Sequence, residues 1–258
     1  MKSTFAPLMA TAWLALLASP AHAGAVLNGD FSQGLSNWQT AGDVSVQSTS
    51  AAGLLLGNDH ATLLMGTATT FANDDDPAPA GTYNLSGNDP VLSGDPVAGL
   101  EASLGLPTLA LGRNVYEGSS AKQTFTVSAG DTVSFDVLLA SRDNGVQLSE
   151  PDTAWLSWQE GNSAATLTTL GSTASLAMTT THNGWLTSNW QHISFTASST
   201  GIATLGFAVA DVNSFTTTSL LGIQNVAVTT AVPEPESIAL VLTGLVLLGR
   251  AARRSHQS

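Results

Sequence analysis

The chain runs to 258 residues, with 19 acids against 7 bases, a formal net charge of −12 and no cysteine. That balance excludes a nucleic-acid-binding surface, since phosphate backbones repel it. The missing thiols exclude a disulfide framework, a cysteine nucleophile and thiolate metal ligands.

Met1–Ala23 carries a basic Lys2, an apolar stretch from Ala10 to Ala18 and Ala21-His22-Ala23 as a small-x-small cleavage site. This is the pattern of a secretory signal peptide cut after Ala23, which removes His22 as a ligand. Next comes Asn28-Gly-Asp-Phe-Ser-Gln-Gly-Leu-Ser-Asn-Trp38. It resembles the opening of exported jelly-roll modules, carbohydrate-binding ones among them. The resemblance implies that an Asn-Gly-x-Phe-Glu turn and a late Ile-Asp-Asn-Val-type strand together hold a structural calcium. Here Ser32 replaces the glutamate, and Gln224, within Ile223-Gln-Asn-Val226, replaces the aspartate. With two carboxylates lost the hard-cation site is not carried over. Trp38 is similar to the residue that seals the bottom of those sandwiches and is assigned to the core.

Residues 24–231 read as one β-sandwich domain. Segments rich in β-branched and aromatic residues, bounded by Gly, Asn, Asp or Ser, predict strands at Asp43–Gln47, Ala61–Met65, Ala121–Val127, Thr132–Ala140 and Thr153–Trp158. More follow at Ala165–Leu170, Gln191–Ala197, Ala203–Ala210 and Leu221–Val228. The segments Lys122–Val127 and Thr132–Val137, joined by Ser-Ala-Gly-Asp, predict a hairpin with Phe125 and Val127 on one face and Val133, Phe135 and Val137 on one face of the partner. Short strands with almost no amphipathic helix predict an all-β fold, an antiparallel, jelly-roll-like β-sandwich. The stretch 71–112 breaks the pattern as an acidic, Pro/Gly-rich insertion with Asp74-Asp75-Asp76, in which Gly99–Leu106 is expected to form a short helix or turn. Three successive acids cannot easily converge on one ion, so the triplet reads as a solvated loop.

Residues 232–258 form a tripartite tail. Val232-Pro233-Glu234-Pro235 is held extended by its prolines, Ile238–Gly249 is apolar, and Arg250, Arg253 and Arg254 close the chain. The apolar run, at about 1.5 Å per residue, spans roughly 18 Å against roughly 30 Å of hydrocarbon, a marginal membrane segment whose arginines stay cytoplasmic. The tail resembles the PEP-CTERM sorting signal of Gram-negative bacteria, which implies recognition and processing by an exosortase. The implied route runs through the inner membrane, transiently occupied, to the cell envelope, surface or exterior. Tyr116-Glu-Gly-Ser-Ser120, Lys122–Ala140, Pro151-Asp-Thr-Ala-Trp155, Leu205-Gly-Phe-Ala-Val-Ala-Asp211 and Ser219–Val226 are similar to a domain frequent in PEP-CTERM proteins. That second resemblance supports the sandwich and the sorting class, and implies no reaction.

Catalytic patterns are scarce. His60, His182 and His192 show no metal-binding spacing, and no Gly-x-Ser-x-Gly elbow occurs. Glu150 and Glu160 flank a strand, where a glycosidase pair is one reading and exposed turn acids the commoner one. No catalytic residue and no cofactor is assigned. Calcium would have only Asp152 and Asp211, at strand ends, or the aspartate triplet to hold it. Trp155 and Trp158, three apart on a strand, should face opposite sides. Trp185, in the polar segment His182–Asn189, is the expected loop-exposed ring and hence the candidate glycan contact. The leading expectation is an exported, non-catalytic envelope or matrix protein associated with exopolysaccharide or biofilm. A glycan-binding jelly-roll module and, more distantly, a secreted glycoside-active enzyme are the alternatives.

Overall fold

The computed structural model describes residues 24–48, 50–51, 54–56, 60–70, 83–142, 151–175, 179–180, 184–215 and 217–231. In chain order the strands are β1 (Gln39–Ala41), β2 (Asp43–Gln47), β3 (Ser50–Ala51), β4 (Leu54–Leu55), β5 (Thr62–Gly66) and β6 (Val91–Leu92). The helix α1 (Leu100–Leu104) precedes β7 (Val115–Val127), β8 (Thr132–Ser141), β9 (Thr153–Glu160) and β10 (Thr166–Ser172). The chain continues with β11 (Thr179–Thr180), β12 (Leu186–Thr187), β13 (Gln191–Thr196), β14 (Gly201–Val212) and β15 (Ser219–Thr229). Every segment predicted as a strand overlaps one of these.

Two antiparallel sheets face each other. The first orders its strands β1-β7-β14-β9-β10, with β6 added to β7, and the second β11-β12-β8-β15-β5-β2, with β13 added to β8. The fold is therefore an all-β sandwich. Inward-facing side chains of both sheets, among them Phe31, Trp38, Phe125, Phe135, Leu205, Phe207 and Ile223, form the central core. Phe207 lies at its middle, with its ring centroid 4.8 Å from that of Phe135 and 6.2 Å from that of Trp38. Truncating such a ring typically costs about 3–5 kcal/mol.

The expected β7–β8 hairpin is corrected. These strands belong to different sheets, and Ser128–Asp131 arches across the sandwich. Asp131 builds the arch: its Oδ2 accepts from Ser128 N at 2.6 Å and its Oδ1 from Ala231 N at 3.0 Å. Its main-chain oxygen accepts from Ala197 N at 2.8 Å. The alternation does put Phe125, Val127, Val133, Phe135 and Val137 in the core. A period of two fixes which face is buried, but a hairpin and an arch share that pattern.

Both outer faces are partly covered. Leu54, Leu56, Leu138, Trp185 and Leu220 form a second apolar cluster, joined by Tyr83 and Leu85, on the β8/β15/β5 sheet. Leu100, Leu104, Trp155, Ala208 and Ala210 form a third on the β7/β14/β9 sheet. Residues 83–112 therefore pack on the sandwich, while 71–82 lie outside the described residues. The helix expected within Gly99–Leu106 is present as α1, too short to persist alone. Gly105 ends it in the left-handed conformation at φ 74°. Leu104 seats over Gly206, where a Cβ would come within 2.8 Å of its Cδ2. Glu101, fully buried, accepts from Ser93 Oγ at 2.6 Å and Gly94 N at 2.9 Å.

The two long sides of the sandwich differ. On one, β1 belongs to the first sheet and β2 to the second, and Gly42 (φ 83°) turns the chain between them against Ser119. That corner closes the side. On the other, β10 and β13 each end a sheet, and a groove lies between them.

Candidate functional site

The sorting and cleavage residues Ala21, Ala23, Val232, Pro233, Glu234, Pro235, Arg250, Arg253 and Arg254 lie outside the described residues, as does the apolar run 238–249. Among the described residues no helix is long and apolar enough to cross a membrane.

Trp185 is not the exposed ring expected from its neighbours. Its side chain is fully buried in the outer cluster on the second sheet. The Tyr83 ring meets it edge-on at 5.9 Å, and the Arg142 guanidinium lies 5.7 Å from it and 4.2 Å from Tyr83. The cause is local. Leu186 and Thr187 pair with Ser141 and Ala140 of β8, which turns the preceding tryptophan down onto the sheet. Polar neighbours told of backbone pairing, and not of solvent around the ring.

Trp155 and Trp158 do face opposite sides, Trp155 buried in the outer cluster and Trp158 half-buried at the margin of the central core. Trp38 is in the core, its Nε1 donating to the Asn28 carbonyl at 3.2 Å. The Asn28 side chain orders the turn that resembled a calcium motif. Its Nδ2 donates to the carbonyls of Gly34 (2.8 Å) and Ser36 (3.0 Å), and its Oδ1 accepts from Gln33 N at 3.0 Å. Val226 N then bonds Gly29 O at 2.9 Å. Ser32 Oγ donates to Asp30 at 2.9 Å, and Gln224 Nε2 to Thr62 Oγ1 at 2.5 Å.

Asp152 and Asp211 are both buried. The β9–β14 register ends with Thr153 paired to Ala210, the residues next to the two acids in sequence. Ser219 Oγ donates to Asp152 Oδ2 at 2.5 Å. No group of three His, Asp or Glu side chains suited to a metal ion occurs among the described residues.

The feature that sequence reading did not assemble lies at one end of the open side. Trp158, Glu160, Ser163, Ala164 and Thr166 of the β9–β10 hairpin face Phe195, Thr196 and Ser198 across a groove of about 230 Å³, open to solvent. Its apolar wall is an aromatic chain, with Trp158 centred 5.0 Å from Phe195 and 6.1 Å from Phe125. Glu160 fastens its rim. Trp158 Nε1 (3.0 Å) and Ser198 N (2.8 Å) donate to Oε1, while Ser198 Oγ (2.5 Å) and Ser199 Oγ (2.9 Å) donate to Oε2. Burial pushes this carboxyl's pKa up, but the bonds from Ser198, Ser199 and Trp158 outweigh it and hold it at about 2. An ionised carboxylate offers about four acceptor positions, and here four donors take them. Glu160 is thus suited neither to hold a catalytic proton near neutral pH nor to receive a ligand's hydroxyl. Glu150, the other acid of the glycosidase reading, lies outside the described residues.

Two rim hydroxyls differ from the carboxylate. Ser163 Oγ donates to Glu160 O at 2.6 Å and Thr166 Oγ1 to Trp158 O at 3.0 Å, which leaves oxygen lone pairs to accept from a ligand. The tie from β9 to Ser198 spans 38 residues of sequence, so no local motif announces it. The local signal was that Trp158 and Glu160, two apart on a strand, share a face.

No protein-family model matches the chain, and no curated protein matches it. Among solved structures, it is similar to the carbohydrate-binding module TmCBM61 in complex with β-1,4-galactotriose, at TM-score 0.41 and 8% identity over 80% of this chain and 97% of that one. The mannan-recognising module TmCBM27 aligns at TM-score 0.39 and 13% identity, covering 77% of this chain and 91% of that one. The K3 adhesin domain of Lys-gingipain from Porphyromonas gingivalis aligns at TM-score 0.38 and 12% identity, covering 80% and 99% respectively.

Proposed function

We propose that the protein is an exported β-sandwich that binds a neutral glycan strand in the groove between the β9–β10 hairpin and β13. The observation that carries this reading is the pairing of an aromatic wall, Trp158 and Phe195, with a rim of Ser163, Thr166 and Thr196 hydroxyls. Sugar CH groups stack on aromatic faces while their hydroxyls need acceptors at the edge. The charge balance selects among sugars. Glu160 stays ionised above a pH of about 2 and the chain carries −12, so uronate-rich polymers are repelled. Delivery follows from the tail: the resemblance of Val232–Pro235, Ile238–Gly249 and the terminal arginines to a PEP-CTERM signal supports sorting by an exosortase to the envelope, alongside exopolysaccharide.

Isothermal titration with neutral and acidic oligosaccharides tests the reading. The expected result is saturable binding of a neutral oligosaccharide, weakened about tenfold by Trp158→Ala, as for loss of one stacked ring. Ala164→Met, which fills the exposed mouth without touching the core, should weaken it too while leaving the melting temperature unchanged. Binding indifferent to both substitutions, or confined to acidic polymers, overturns the proposal.

A further inference from the structure

The open side continues beyond Trp158. Residues paired across two strands share a face, and faces alternate along each strand. Thr168 of β10 pairs with core Leu156, and Phe195, Ile193 and Gln191 of β13 pair with core Val133, Phe135 and Val137. All four therefore point inward along the open side. From Phe195 to Gln191 the side runs along β13 for about 14 Å of strand. At its far end lies a second, smaller hollow. There β10 pairs with β9 through a bulge, the register shifting between Thr169 and Gly171, and Gly171 then pairs with Ala154. A residue without a side chain faces one with a single methyl, and the space that larger side chains would fill is left over. Val137, Leu139 and Leu221 of the second sheet form the floor of the hollow, and Leu170 forms one wall. The centre of a water-sized sphere has about 10 Å³ to occupy, which is room for one small group such as a methyl.

Two polar side chains complete the lining, Ser188 and Gln191. Leu139 N donates to Ser188 Oγ at 3.0 Å, and the hydroxyl's own proton has no acceptor among the described residues. Gln191 is exposed, which places the mouth of the hollow on the open side, and its amide has no partner among the described residues.

We propose that this hollow is an acetyl subsite, so that the glycan held in the groove is an acetylated neutral one. The inference rests on the glycan reading of the groove and narrows it. An acetyl group is a methyl joined to a carbonyl, and the hollow is built in the same two parts. Its apolar floor takes the methyl. The carbonyl oxygen, with two lone pairs, accepts from the Ser188 hydroxyl and the Gln191 amide. A bare sugar hydroxyl in the same place leaves the floor unfilled. A carboxylate or ammonium substituent would lose its hydration there without a counter-ion, since no lining residue is charged.

Neutral ligands paired with and without acetyl groups test the subsite on the full chain in mild detergent. One pair is tri-N-acetylchitotriose against cellotriose, and the other is O-acetylated glucomannan against its alkali-deacetylated form. The two arms separate an N-acetyl from an O-acetyl group. In at least one arm the acetylated member should bind about tenfold tighter, as for one buried methyl and one added hydrogen bond. Gln191→Leu, a change at an exposed position that leaves folding intact, should cut that preference to about threefold, the share of the methyl. Trp158→Ala should weaken both members of a pair alike and preserve their ratio. Equal affinity within both pairs, or a preference untouched by Gln191→Leu, overturns the acetyl subsite, while a retained Trp158 effect still upholds the groove. Failure of all four ligands to bind overturns the subsite and the groove reading together.

Discussion

Asp43 anchors the packed part of the insertion, and its removal can be worked through in numbers. It opens β2 and is fully buried. Its Oδ1 accepts from Ser86 N at 2.7 Å and Leu85 N at 3.0 Å, and its Oδ2 from Leu85 N at 2.8 Å. Its own amide donates to Ser119 Oγ at 2.8 Å, and that hydroxyl donates to Gly66 O at 2.6 Å. Asp43→Ala leaves the Leu85 and Ser86 amides without an acceptor, at about 1–3 kcal/mol each. The sum, about 2–6 kcal/mol, is a large share of the roughly 5–15 kcal/mol that holds a domain together. Asp43→Asn keeps one carbonyl oxygen and should lose about half as much. The pH dependence has a definite sign. Burial raises the Asp43 pKa above its ordinary 3.8, against the opposing bonds from Leu85 and Ser86, so folding favours the protonated form. That contribution is complete below the unfolded value and is lost as pH rises through the folded one. Wild type should therefore gain stability relative to Asp43→Asn as pH falls from 7 towards 4. Urea melts at several pH values measure both effects. A loss below about 1 kcal/mol for Asp43→Ala would show that Leu100 and Leu104, and not this carboxylate, hold residues 83–112 in place.

Glu160 should show the opposite pH behaviour. Its folded pKa, about 2, lies below the ordinary 4.5, so its contribution is complete above the unfolded value and is lost as pH falls through the folded one. The stability difference between wild type and Glu160→Gln should shrink between pH 5 and pH 2, and a flat difference would refute the four-donor account. The tail predicts processing. Intact-mass spectrometry of protein from its native host should find a chain that begins at Gly24 and ends near Pro233–Pro235, with the full tail retained in a host lacking exosortase. Surface-located protein still carrying Ser258 would sink that reading.

The strands were legible because each long one buries a face, and burial writes a period of two into the sequence. β8 is the clear case: Val133, Phe135, Val137 and Leu139 point into the core from alternate positions. The sheet to which a strand belongs was not legible, because Val127 and Val133 bury identically whether Ser128–Asp131 turns within one sheet or arches between two. That choice is made by Asp131, whose carboxylate and carbonyl collect Ser128, Ala197 and Ala231, the last 100 residues away. The insertion misled for a related reason. Its acids and prolines look solvated, yet residues 83–112 dock through Tyr83, Leu85, Leu100 and Leu104, and through amides that bind Asp43.

The tryptophans show where reading a site from sequence reaches its limit. Strand geometry placed Trp155 and Trp158 on opposite faces without reference to any other element. Whether a ring on a given face meets solvent depends on what covers that face. Trp155 lies under the α1 segment, and Trp185 under Tyr83 and Arg142. Trp158 remains beside an open groove because, among the described residues, β10 and β13 end their sheets without a strand to bridge them. The same missing bridge leaves the hollow at Gly171 within reach. Groove and hollow are therefore two consequences of one topological fact, that the sandwich is closed by a continuous corner at Gly42 and by nothing comparable opposite it among the described residues.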